Sequence, residues 1–154
     1  MSNPRRNQSG FTLVELLIVV IILGILAAVV IPQFNTAAAE SKEAALASNL
    51  ATIRQAIELY KVQHSDSFPT SAIIDELTKQ TDADGTVSAT GKYGPYIRNA
   101  FPSDPINSMA TVTTGATMPA AAAGAAGWVY CTANGEFRAD CTGTGPSGTD
   151  YFDL

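Results

Sequence analysis

The sequence predicts an α+β fold in which a long N-terminal α-helix packs against a small C-terminal antiparallel β-sheet. Three observations predict it. Residues 11–31 are apolar at every position except Thr12, Glu15 and Gly24. Leu46, Leu50, Ile53, Ile57 and Tyr60 then recur at steps of 4, 3, 4 and 3, the spacing of one helix face. Near the C-terminus, Trp128–Cys131 and Glu136–Ala139 flank Asn134-Gly135, a strong hairpin signal.

Four segments follow in order: a polar leader over residues 1–10, an apolar helix half over 11–34, an amphipathic helix half over 35–63, and a head over 64–154. The apolar half is long enough to span a bilayer. Arg5 and Arg6 precede it with no acid beside them, whereas Glu40, Lys42 and Glu43 follow it. By the positive-inside rule the N-terminus stays cytoplasmic and everything after about Pro32 is exported. Beyond the apolar run the residues remain good helix formers, so 11–63 reads as one rod of roughly 80 Å at about 1.5 Å per residue. Gly24 and Pro32 weaken it, and a kink or a locally extended stretch is expected between them.

Ser65 to Thr70, with Phe68-Pro69, ends the helical pattern. Ile73 to Lys79 has room for a short helix of one or two turns, and Thr81 to Gly94 reads as loop. Tyr93 to Ile97 and Phe101 to Asn107 read as proline-fixed loops with aromatic anchors. Met118 to Gly127 is nearly all Ala and Gly, and the sequence leaves open whether it is a loop or a weak helix.

The chain has 154 residues, about 30 of them committed to leader and membrane segment, so one small globular domain is expected. Setting aside Arg5 and Arg6, residues 11–154 carry 7 basic against 14 acidic side chains. That acidic balance, with no basic patch interleaved with aromatics, argues against nucleic acid as a partner. Cys131 and Cys141 lie close together in a tail expected to face an oxidising compartment, and a disulfide between them is the expectation. On the entropic account such a bridge stabilises by roughly 3 kcal/mol. His64, the only histidine, lies beside Ser65 and Asp66 at a helix end, which suits a cap better than a catalytic triad. No glycine-rich phosphate loop or ligand cluster accompanies it, and no enzyme is expected.

Glu15 is the most informative residue. A carboxylate in hydrocarbon costs roughly 2.5 to 3.5 kcal/mol on insertion scales, so it requires a partner, and a cation at the same depth is the natural one. Ala37-Ala38-Ala39 offers a secretory cleavage site, but the apolar run is too long for an ordinary signal and a helix passes through the supposed cut.

Gly10 followed by Phe11-Thr12-Leu13-Val14-Glu15 resembles the leader junction of type IV pilins and type II secretion pseudopilins. The resemblance covers about residues 4–60, with Gly24 and Pro32 matching the family's helix-loosening positions. It implies a pilin-like fold, cleavage between Gly10 and Phe11 by a prepilin peptidase, and N-methylation of Phe11. It also implies that Glu15 receives the new amine of a neighbouring subunit during assembly. The expected partners are other copies of the chain, minor pseudopilins or pilins, the peptidase, a platform protein and an assembly ATPase. The expected location is the inner membrane, single-pass, and then a periplasmic or cell-surface filament.

Tyr93-Gly94-Pro95-Tyr96, Phe101-Pro102-Ser103-Asp104-Pro105 and Gly127-Trp128-Val129-Tyr130 look like the head pattern of major pseudopilins. This favours a type II secretion pseudopilin over a surface pilin for adhesion, motility or DNA uptake. Typical major pseudopilins continue into an acidic calcium-binding loop. Here the tail carries Cys131 and Cys141, placed more like the C-terminal disulfide loop of many pilins. Asp82 and Asp84 begin a calcium-loop pattern but lack its distant glutamate, so a solvated turn is expected and calcium is the only cofactor to weigh.

Overall fold

The computed structural model describes residues 10–154; the rest of the leader, with Arg5 and Arg6, lies outside the described residues. In chain order the elements are α1 (Leu13–Gln63), α2 (Ile73–Thr78), β1 (Val112–Gly115), β2 (Trp128–Cys131), β3 (Phe137–Ala139) and a 3-10 turn at Tyr151–Asp153. The chain divides into two compact units between Ala38 and Ala39, and α1 contributes to both.

In the first unit, α1 passes through Gly24 and Pro32 with no break in its helical assignment. The locally extended stretch expected there is not formed. A proline inside a helix removes a single i to i−4 donor and leaves the neighbouring bonds available, which is enough to carry a long helix through.

In the second unit, the apolar stripe of α1 forms one wall of the core. Leu46, Leu50, Ile53, Ile57 and Tyr60 are all buried, as their spacing predicts. Ile73 and Leu77 of α2 join them, and Trp128, Tyr130, Phe137 and Ala139 of the sheet face the same cluster. Phe137 lies at the centre, with the rings of Trp128, Tyr130 and Phe101 at 5.5, 6.2 and 6.3 Å. Buried aromatics also tie down the loops: Trp128 Nε1 donates to the Pro102 carbonyl at 2.9 Å, and the Tyr130 hydroxyl donates to that of Pro69 at 2.9 Å. From α1, Arg54 donates through Nε and Nη2 to the Phe137 carbonyl at 3.0 and 2.9 Å, and through Nη2 to the Leu154 carbonyl at 2.8 Å.

The hairpin forms where Asn134-Gly135 places it. β2 and β3 are antiparallel, pairing Trp128 with Ala139, Val129 with Arg138 and Tyr130 with Phe137. Gly135 has φ +75° and closes the turn by donating to the Cys131 carbonyl. The sheet as a whole corrects the expectation, because it is mixed. β1 pairs with β2 in parallel, Val112 beside Trp128 through Gly115 beside Cys131. Parallel neighbours need a crossover of about a dozen residues, which the 116–127 stretch between the two strands supplies. That stretch is loop and not helix. β1 was absent from the sequence reading, although Thr111-Val112-Thr113-Thr114 is a β-branched run of the kind strands favour.

The Cys131–Cys141 disulfide is likewise corrected: both residues are buried free thiols. The strand register supplies the reason. Cys131 donates its N–H to the Glu136 carbonyl at one end of the hairpin, whereas Asp140, next to Cys141, donates to the Gly127 carbonyl at the other. The five steps from residue 136 to residue 141 span about 16 Å at about 3.3 Å each, and a bridge requires Cα atoms within about 7 Å.

Candidate functional site

The predicted processing and assembly residues come together at the start of α1. Gly10 is exposed, and among the described residues no atom lies within 4 Å of a Cβ built on it. Phe11 is 83% exposed. Thr12 is the N-cap: the Thr12 N–H and Oγ1–H both donate to Glu15 Oε2 at 2.7 Å, and the Glu15 N–H donates back to Thr12 Oγ1 at 3.2 Å. This reciprocal arrangement is a capping box, and it satisfies backbone donors that the first helical turn otherwise leaves unpaired. The sequence reading missed this role for Thr12, although the signal was present as T-x-x-E directly ahead of an apolar run. Within the single chain, Glu15 is therefore held by Thr12, one residue from Phe11.

Beyond Glu15 the helix carries apolar side chains on every face, and those described lie open. Leu16 to Leu23, Ile25, Leu26, Val29, Val30 and Phe34 are all exposed. By length and composition α1 is long and apolar enough to cross a membrane. Gly24 has no atom within 4 Å of a Cβ built on it, so the chain's own packing does not require a glycine there. The chemistry available to this surface is burial, against acyl chains or against the same surface on other copies.

The remaining candidates lie in the head. His64 is buried and stacked on Tyr60, ring centroids 3.9 Å apart. Its Nδ1 lies 2.8 Å from the Tyr60 carbonyl, and its Nε2 lies 3.0 Å from the Asp82 carbonyl and 3.1 Å from Thr81 Oγ1. It fastens the end of α1 to the loop after α2, a structural role in agreement with the capping expectation. Asp84 accepts from the Thr86 N–H at 3.0 Å, and that bond holds its carboxyl below the ordinary value.

The calcium loop raised by the resemblance does not fit these residues. Calcium takes about six to eight oxygen ligands. Among the described residues no group of three or more His, Cys, Asp or Glu side chains gathers at one point, and Asp84 is engaged by its own turn.

Comparison with known proteins agrees with both parts of the chain. Residues 5–31 match the family described as "Prokaryotic N-terminal methylation motif", and residues 33–119 match "Type II secretion system (T2SS), protein G". The type II secretion system core protein G of Pseudomonas aeruginosa is 35% identical over 101 residues, covering 66% of this chain and 70% of that protein. The core protein G of Aeromonas hydrophila is 31% identical, covering 66% and 69%. The type IV major fimbrial protein FimA of Dichelobacter nodosus is 36% identical over 104 residues, covering 63% and 65%. No solved structure matches the chain. A methylation-motif helix that continues into a matching head places the chain in one family: it belongs to the type II secretion system protein G family.

Proposed function

We propose that this chain is a structural pseudopilin, a subunit that polymerises through its N-terminal helix into the filament of a type II secretion system. The observation that carries the reading is the exposure of the described apolar side chains between Leu13 and Phe34, on a helix that farther along buries one face in a folded head. Such a surface is stable in a bilayer and, once withdrawn, only in a bundle of its own kind. At about 25 cal/mol per Å², a few hundred Å² buried against each neighbour amounts to several kcal/mol. The protein G match runs through the amphipathic half of α1 and into the head, and this favours the secretion filament over a surface pilus.

In this reading the precursor sits in the inner membrane with its N-terminus cytoplasmic. A prepilin peptidase cuts after Gly10, Phe11 becomes the methylated N-terminus, and the assembly ATPase and platform protein drive subunits into a filament with minor pseudopilins. The free amine adds a positive charge where the helix dipole is already positive, and a carboxylate nearby offsets it. During assembly Glu15 exchanges Thr12 for the amine of a neighbour, which fixes the axial register between subunits.

Two substitutions test this in cells that carry the secretion system. Gly10→Ala blocks processing, read by intact mass as a subunit that still begins upstream of Phe11. Glu15→Ala leaves processing intact but abolishes filaments and export of secreted enzymes. Filaments of normal number and length from Glu15→Ala cells would refute the pairing, and a mature subunit beginning at Glu40 would establish the secretory-cleavage alternative.

A further inference from the structure

Between β1 and β2 the chain must cross over through residues 116–127, and apart from Thr117, Met118 and Pro119 this stretch contains only Ala and Gly. Residues 120–127 therefore have no side chain that can hydrogen-bond and none larger than a methyl group. Their backbone supplies the fastening. Asp140, 2% exposed at the end of β3, accepts through Oδ1 from the N–H groups of Ala123 at 2.7 Å and Gly124 at 3.2 Å. Through Oδ2 it accepts from Ala125 at 3.1 Å and Ala126 at 3.0 Å. Gly124, at φ +69°, turns the backbone so that four successive N–H groups converge on one anion, a backbone nest. Asn107 Nδ2 donates to the Ala126 carbonyl at 2.8 Å and fixes the far end of the loop.

A carboxylate has about four acceptor positions. All four on Asp140 are taken by backbone donors, and none remains for a metal. The other acids of the tail are also engaged by protein donors: Glu136 by Arg138 and Asn134, Asp153 by Arg138, Asp150 by the Phe152 N–H. Asp104 Oδ2 is buried and has no hydrogen-bond partner among the described residues, but it lies beside the Cys141 thiol, and among those residues no group of three or more His, Cys, Asp or Glu side chains gathers there to hold an ion. We infer that Asp140 and its four backbone N–H groups close the crossover loop in place of a divalent cation, so that the head of this chain folds independently of calcium. The inference concerns the head alone and does not rest on the pseudopilin reading.

Trp128 is the only tryptophan and is fully buried in the head, so its fluorescence reports head unfolding in the full-length protein held in detergent. The wild-type unfolding midpoint is expected to be the same in millimolar EDTA and in millimolar calcium chloride. Asp140→Asn turns an amide NH2 toward backbone donors, and it is expected to lower the midpoint by about 5 to 15 °C in both buffers with no rescue by calcium. A calcium-induced rise of more than about 5 °C in the wild type overturns the inference. Loss of that rise in Asp104→Asn or Asp84→Asn would then locate the cation. An unchanged midpoint for Asp140→Asn also overturns it. If Asp140→Asn fails to fold, the wild-type comparison decides alone.

Discussion

Cys131 and Cys141 show how strongly register governs what a residue can do. They stand ten positions apart in sequence, yet the hairpin sends them to opposite ends, Cys131 against β1 with its Sγ 3.3 Å from the Ala116 carbonyl and Cys141 beside Asp104. Burial, and then the neighbouring Asp104, pushes the Cys141 thiol up to about 12. Both thiols are buried away from reagent, so both residues are expected to resist alkylation in the native protein and to react together on unfolding. Intact mass should be identical with and without reductant. A loss of two hydrogens in material purified without reductant would show a bridge and disprove this register. Gly135 is a second single-residue test. Its φ is +75° and a side chain there would run into the Phe68 ring, so Gly135→Ala is expected to destabilise the head by about 2 kcal/mol, measured by urea unfolding.

Each element of the head leans on another, and its buried stripe is where that dependence is concentrated. Ile53 is fully buried in the cluster shared by α1 and the sheet, so Ile53→Ala is expected to cost about 2 to 5 kcal/mol of head stability. The solvent-facing Gln55→Ala, on the same helix, should stay within about 0.5 kcal/mol in the same urea titration. Equal losses from the two would mean that the stripe does not face a core. These elements were legible because their signals are local: the 4-3-4-3 steps of α1, the Asn134-Gly135 turn and the short α2 run each name their own structure. What escaped was non-local. The parallel β1–β2 pairing depends on a strand of four residues returning across twelve of crossover, and no short window contains both. The absent bridge was misread for the same reason, since closeness in sequence stood in for a register that only pairing defines. The Asp140 nest was invisible because its partners are backbone N–H groups of a stretch whose side chains say nothing.

For the whole molecule, ionisation is unevenly distributed. Residues 1–38 contain no tyrosine or cysteine, so phenol and thiol titration belongs to the second unit. There, burial and then Glu76 push Tyr60 up to about 12, burial holds Tyr130 higher still, and Cys141 stands at about 12. In an unfolded chain these groups titrate near 10 for tyrosine and near 9 for cysteine. A group whose folded value is raised contributes stability that is complete below its unfolded value and is lost as pH rises through its folded value. The head is therefore expected to be at full stability up to about pH 9, to weaken steadily from there, and to unfold cooperatively by about pH 12. On the acid side the sign reverses. The Arg138 hydrogen bond depresses Glu136, and the Thr86 N–H depresses Asp84, so their contributions are lost as pH falls through those lowered values. Asp84 is exposed and Glu136 only half-buried, so water screens both and the acid limb should be shallow. Trp128 fluorescence and phenolate absorbance, followed together from neutral pH to 12, check the alkaline limb. Part of the phenolate absorbance is expected to rise only together with the Trp128 transition, because Tyr60 and Tyr130 ionise only when the core opens. Absorbance that accounts for all five tyrosines while Trp128 keeps its native signal would mean that Tyr60 and Tyr130 are not enclosed by the α1 stripe and the sheet.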